Sequence, residues 1–376
     1  MKTRLFTPGP TPVPERVALR MAQPLIHHRS EEFRSLLARV HAGLQHVFQT
    51  SSPVLPLTCS GTGTMEAAVV NLFSPGDTVL TVNGGKFGAR WTDLLKMFGM
   101  TAVEITVPWG SAVTPVRIRD RLRELREVRG VMVTHSETST GTAIDLRTIA
   151  AAVRDESDAL VCVDGISSVA ALECRFDDWG IDVCMTASQK GLMVPPGMGF
   201  VALSSRAVNA TNASNTPRFY LDFRRALAAY EKDDTPWTPA VSLLAGLDEA
   251  LAMIREEGLD AVWRRHERQA AAIRAGLEAI GVRLFSERPS SAVTAAWLPE
   301  GVSWSECKMM LQKDFGMWVA GGQGEYTGKI FRVSNLGYHD DAEVLGLIDA
   351  VERTLARLQG TPAQGFAMGA AGAFMR

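Results

Sequence analysis

Apolar residues first recur at helical spacing over positions 31–49. There Phe33, Leu36, Leu37, Val40, Leu44 and Val47 fall on one side of a 3.6-residue period. The preceding residues 1–30 are Pro-rich and aperiodic, which predicts an irregular segment. Beyond the helix, short uninterrupted apolar runs alternate with helical stretches. Strands are predicted at 53–58, 78–82, 101–107, 131–134, 159–163, 183–187 and 198–203. Helices are predicted at 63–73, 87–98, 117–128 and 145–153. Strands that are apolar on both faces and separated by helices predict a mostly parallel sheet covered on both sides.

The pattern changes further along. Residues 204–257 read as more helical, with a Pro-rich loop at Thr235-Pro236-Trp237-Thr238-Pro239. From about 258 a long Arg/Glu-rich helix runs to 280, followed by strands at 282–285 and 293–297, a helix at 303–315, a strand at 329–333 and a last helix at 340–359. This predicts a smaller C-terminal α/β domain packed against the N-terminal segment. The tail from 360 is Gly/Ala-rich without period and is expected to be mobile. The expected division is therefore a segment 1–30, a large domain 31–257, a small domain 258–359 and a flexible tail 360–376.

Composition narrows the function classes. With 46% hydrophobic and 21% charged residues, the 376-residue chain buries a sizeable core and is not disordered. A formal net charge of -2, from 39 basic and 41 acidic residues, gives no case for nucleic-acid or membrane-surface binding. The 5 cysteines contain no CxxC pair, and a reduced, cytoplasmic protein is the expectation. The start MKTRLFTPGPTPVP has no apolar h-region, so no signal peptide is expected. The longest mostly apolar stretch, 191–203, is broken by Pro195, Pro196 and three glycines (191, 197 and 199) and is too short to span a bilayer.

Three places could carry chemistry. Cys59-Ser60-Gly61-Thr62-Gly63-Thr64-Met65-Glu66 lies between a predicted strand and helix. Small residues there let backbone N–H groups approach an anion, and the helix dipole favours negative charge. The dinucleotide fingerprint fails at Glu66, and no Walker lysine follows. On its own the segment is equally a plain capped turn. Asp164 ends an apolar strand at the carboxyl edge, where α/β proteins bind ligands. A lone strand-end Asp is more often a turn cap. Lys190 ends the next apolar strand, before the rigid Pro195-Pro196-Gly197 loop. A desolvated lysine there can act as an amine nucleophile, although a random lysine is usually solvated. The combination is more telling than its parts. A phosphate cradle, a carboxylate and an amine on one sheet edge are what pyridoxal phosphate needs.

The chain resembles the class V, fold-type I pyridoxal-phosphate aminotransferases, in particular the alanine/serine–glyoxylate (serine–pyruvate) group. The resemblance runs from Pro8 to about residue 358. It is carried by Thr7-Pro8-Gly9-Pro10-Thr11, Ser60 to Glu66, Asn83-Gly84-Gly85-Lys86-Phe87-Gly88, Thr134 to Gly141, Val163-Asp164, Ser188-Gln189-Lys190 and Lys329-Ile330-Phe331-Arg332. It implies a large domain with a mostly parallel seven-stranded sheet between helices, plus a smaller C-terminal α/β domain. It implies Lys190 as the Schiff-base lysine and Asp164 as the partner of the ring nitrogen. Thr62, Gly63 and Thr64 would take the phosphate with Gln189. Phe87 would stack on the ring and Ile166 pack on its other face, with Thr138 near the ring hydroxyl. Thr238, and with it Thr235, matches a segment reaching a neighbouring subunit's phosphate, so a homodimer is implied. Arg332 would bind the substrate α-carboxylate by two charge-assisted bonds, with the backbone near Gly9 closing over the substrate.

The implied reaction is ping-pong transfer of an amino group from alanine or serine to glyoxylate or pyruvate. Two alternatives remain on the same fold: a lyase or cysteine desulfurase, which needs a mobile nucleophilic Cys, and an accessory subunit. His27-His28-Arg29 either lines the substrate entrance, where it could read a second charge, or forms a hydrogen-bonded corner. Lys329 reads as a solvated strand residue, and no metal site is expected.

Overall fold

The computed structural model describes residues 2–375. Its central sheet is built from β1 (Val54–Leu57), β2 (Thr78–Asn83), β3 (Thr101–Thr106), β4 (Val128–Thr134), β5 (Leu160–Asp164), β6 (Val183–Ala187) and β7 (Gly199–Leu203). These seven strands lie in the order β1-β7-β6-β5-β4-β2-β3. Only β7 runs against the rest, antiparallel to both β1 and β6. Parallel neighbours require crossovers, and the helices between the strands supply them.

Alternation within each strand divides the core in two. Leu80, Val82, Val131, Val133, Val161 and Val163 pack on one face with Phe33, Leu37, Val40 and Leu44. Val79, Met132, Cys162, Val183, Met185 and Val201 pack on the other with Met65, Val69 and Trp91. Burial on both faces is why these strands read as continuous apolar runs rather than alternating ones. The predicted helix at 31–49 is Glu31–Phe48, capped by the Ser30 hydroxyl, which accepts from Phe33 N–H at 3.2 Å.

A second sheet joins β8 (Val293–Trp297), β9 (Ala320–Gly321) and β10 (Ile330–Ser334), all antiparallel in the order β8-β10-β9. The N-terminal segment is less irregular than its prolines predict. Glu15–Met21 is a helix, with Pro14 at its N-cap, where no N–H is required. Arg4–Leu5 pairs parallel with Met317–Trp318, and Phe6 O accepts from Ser334 N–H at 2.9 Å. Those bonds stitch the N-terminus to the second sheet.

Two expectations fail. Residues 282–285 form no strand; a single bridge joins Leu284 to Ala296. The Gly/Ala-rich tail contains a helix, Phe366–Gly372, docked through buried Ala367 and Ala371 beside Ile273, Leu277 and Leu355. Its first turn is capped from outside. Buried Glu352 accepts from the N–H groups of Gln364, Gly365, Phe366 and Ala367 at 2.8–3.2 Å. Small residues show no amphipathic period, so the cap and the close approach they permit were invisible in the pattern. No described helix is long and apolar enough to cross a membrane.

Candidate active site

A cavity of about 260 Å³ opens at the carboxyl ends of the parallel strands. Its walls include Thr62, Phe87, Thr138, Asp164, Ile166, Gln189 and Lys190. Lys190 sits in a turn held by Ser188, whose hydroxyl donates to Pro195 O at 2.7 Å and accepts from Met198 N–H at 3.2 Å. The Lys190 amine donates to Pro8 O. Thr11 binds the same turn, donating through N–H to Gln189 O at 3.2 Å and through its hydroxyl to Lys190 O at 3.0 Å. The Pro-rich N-terminus thereby forms the roof over Lys190. Gly9 must be glycine there: its φ is +141°, and a Cβ would meet Lys190 Nζ at 2.6 Å.

The two ionisable groups are displaced from their ordinary behaviour. Burial lowers the Lys190 ammonium to about 8, with Arg332 and Arg90 acting in the same direction and Asp164 opposing. Burial raises the Asp164 carboxyl to about 6, against the Ile166 N–H that donates to its Oδ1 at 2.9 Å. An amine and an acid poised near neutrality in one cavity are matched to proton transfer.

Helix Gly61–Leu72 ends in one wall of this cavity. Its N-cap Ser60 makes no side-chain cap bond, and the N–H groups of Gly61, Thr62 and Gly63 have no partner among the described residues. Glycine at 61 permits close approach, since a Cβ would meet Ile166 Cδ1 at 2.7 Å. Gln189 also lines the cavity, and its amide N–H can donate to an anion. Unpaired donors at a helix start fit a phosphate, and Phe87 and Ile166 supply apolar walls for a flat ring. The residues therefore fit pyridoxal phosphate.

Not every expected residue joins them. Thr64 has no donor to spare: its hydroxyl donates to Gly61 O at 2.7 Å and its N–H to Ser60 O at 3.2 Å. Thr235 is buried and donates to Trp237 O at 2.8 Å, while Thr238 is exposed, and neither lines the cavity. Arg332 stands behind the wall on β10, donating to Thr138 O at 2.6 Å and Gly321 O at 2.9 Å. Its Nη2 makes no bond to described residues, and burial lowers its guanidinium to about 10, so it remains charged at neutral pH. Arg29 is held by Asp234 and by Thr235 O at 2.8 Å, and His27 Nδ1 accepts its N–H at 3.2 Å. That segment is a hydrogen-bonded corner. Among the described residues no cluster suits a metal ion.

Two further residues belong to the site. Buried Glu137 accepts from the N–H groups of Phe87 at 2.9 Å and Gly88 at 2.8 Å. It caps helix Lys86–Met97 from outside, because Gly85 at the N-cap has no side chain to do so. Gly85 and Glu137 lie far apart in the sequence, so spacing along the chain gave no sign of this pairing. Arg90, three residues after Phe87, lies with its guanidinium 4.9 Å from the Phe87 ring centroid and lines the cavity. It was missed because a single arginine on an amphipathic helix reads as solvated.

The family model described as "Aminotransferase class-V" matches residues 4–348. The chain is 40% identical over 361 residues to a soluble hydrogenase 42 kDa subunit of Anabaena cylindrica, covering 95% of this chain and 94% of that protein. It is 36% identical to an L-aspartate–glyoxylate aminotransferase of Paracoccus denitrificans, covering 96% and 92%. The solved ureidoglycine–glyoxylate aminotransferase of Bacillus subtilis superposes with a TM-score of 0.94 at 30% identity, covering 100% of this chain and 98% of that one.

Proposed function

The chain belongs to the class-V aminotransferases, a family that uses pyridoxal 5′-phosphate, and from that premise we propose that it moves the amino group of alanine or serine to glyoxylate or pyruvate in two half-reactions. The observation that carries this reading is the convergence of Lys190, Asp164 and an uncapped helix start on one cavity. Glyoxylate recurs in the names of two relatives whose donors differ, which supports the acceptor more than the donor.

When bound, pyridoxal phosphate supplies an aldehyde that carries the amino group and a ring that withdraws electrons from the substrate α-carbon. Lys190 would hold it through its amine. Once released, that amine would carry a proton between the substrate α-carbon and the former aldehyde carbon within each half-reaction, as general base and then general acid. Desolvation makes its neutral form accessible near pH 8. Asp164 would face the ring nitrogen, where a charged partner relieves the burial that raises its pKa. Thr62, Gly63 and Gln189 would take the phosphate, Phe87 and Ile166 the ring faces, and Thr138 the ring hydroxyl. Arg332 keeps a free Nη2 for the substrate carboxylate, and the Pro8–Gly9 roof excludes water above Lys190.

The proposal includes a homodimer in which exposed Thr238 reaches a second chain's phosphate, with Thr235 shaping that loop. It includes a cytoplasmic location and the division into 1–30, 31–257 and 258–359. Against the desulfurase alternative, no cysteine is among the described residues lining the cavity, and burial pushes the thiols of Cys59 and Cys307 up to about 12 and about 11. The name of the Anabaena relative keeps an accessory-subunit reading in play. Borohydride reduction and peptide mapping should place the cofactor on Lys190. A panel of amino acids should convert the cofactor's absorbance, alanine or serine fastest. A protein that converts none of them and co-purifies with a large partner would support the accessory role instead.

A further inference from the structure

Arg90 Nη1 donates to Thr62 Oγ1 at 3.0 Å, and the same guanidinium lies over the Phe87 ring. A guanidinium only donates, whereas a threonine hydroxyl has one proton and two lone pairs. Thr62 is therefore the acceptor in this contact, and its own proton is left to point elsewhere. It donates to nothing among the described residues. Beside it stand the unpaired N–H groups of Gly61, Thr62 and Gly63, a row of donors with no acceptor. Asp164 and Lys190 both feel the charge of Arg90, so it belongs to the electrostatics of the cavity.

We propose that Arg90 is a positioning residue for the cofactor's phosphate: by binding Thr62 Oγ1 it turns the Thr62 hydroxyl outward as a donor, and it brings a fixed positive charge beside the cradle. Its stacking on Phe87 joins the phosphate wall to the ring wall, so both halves of the cofactor's seat are set by one side chain. This deepens the cofactor assignment and rests on it.

The test separates the two. Apoprotein is titrated with pyridoxal 5′-phosphate and, separately, with pyridoxal, which lacks the phosphate. Tryptophan fluorescence and cofactor absorbance are followed for the wild type, Arg90→Met, Thr62→Val and the double variant. If the wild type binds neither compound, or borohydride traps none on Lys190, the cofactor assignment itself fails. If it binds, Arg90→Met is expected to weaken pyridoxal phosphate about tenfold or more, the loss of a charge-assisted contact, with pyridoxal affected less than about twofold. Thr62→Val should lose a comparable factor, and the double variant should lose less than the product of the two. Equal losses for both compounds, no loss, or full additivity would overturn the proposal. So would an Arg90→Met variant that keeps its cofactor affinity and raises KM only for acidic amino acids, since Arg90 would then read a substrate carboxylate. Arg90→Lys guards against misfolding: it keeps the charge but not the fork, and should restore part of the phosphate-dependent affinity.

Discussion

The two edges of the central sheet each hold a buried carboxylate, and they are treated in opposite ways. Asp182 precedes β6 at the amino edge, and its carboxylate is saturated. It accepts from Val161 N–H at 2.9 Å, Ser204 Oγ at 2.8 Å, Arg154 Nη2 at 2.7 Å and Arg206 Nη1 at 3.4 Å. Asp164 ends β5 at the carboxyl edge and, among the described residues, accepts only from Ile166 N–H, with the rest of its capacity facing the cavity. Burial raises both carboxyls above their ordinary range. The same strands thus carry a charge that is satisfied within the fold and one whose satisfaction waits for a ligand. Burial alone does not mark function; burial with unmet hydrogen-bonding capacity does.

The largest expected effect tests the carboxyl edge. Lys190→Ala should lower transamination by about 10³-fold or more, since it removes both attachment and proton transfer. Its thermal midpoint without cofactor should not fall, because the wild-type amine is buried at a cost. A variant that still turns over would break the contrast at once. Next, Asp164→Asn should lose roughly 10²–10³ in kcat, the scale of a lost electrostatic partner, with unfolding free energy unchanged or higher. Asp182→Ala should do the reverse. Arg154 and Arg206 stay partly exposed when their partner goes, so the destabilisation lies at the lower end for broken buried pairs, about 3 kcal/mol in denaturant unfolding. Activity per folded molecule should be kept. If Asp182→Ala instead lost activity with full stability, the two edges would not divide as described.

The smallest effect is in the pH dependence of the cofactor-free protein. Folded Lys190 titrates near 8 rather than 10.5, so between those values the unfolded chain binds more protons and stability should rise with pH. Folded Asp164 titrates near 6 rather than 3.8, so in that window the native state binds more protons and stability should fall as pH rises. Thermal midpoints across pH should lose the first slope in Lys190→Met and the Asp164 share of the second in Asp164→Asn. Burial also raises the Asp182 carboxyl, so Asp182→Ala should keep the first slope and lose only its own share of the second.

Much of this was legible in the chain. The strand-by-strand apolar runs, the helix at 31–48 and the strand-end positions of Asp164 and Lys190 follow from periodicity, because burial on two faces leaves a direct trace in residue type. Glu137, Arg90 and Glu352 left no such trace. Each acts on backbone or side chains far away in sequence: Glu137 on residues 87 and 88, Arg90 on Thr62, Glu352 on residues 364–367. Thr64 shows the opposite error. Its place in the loop suggested a phosphate ligand, but helical geometry uses both of its donors at short range.

By itself the sequence determined which residue types stand at the sheet's carboxyl edge and that the sheet is covered on both faces, since local spacing and hydrophobicity are properties of the chain. Only the tertiary structure decided which polar atoms are left without partners. Hydrogen-bond satisfaction is a balance over every neighbour in space, and those neighbours come from segments that spacing along the chain does not relate.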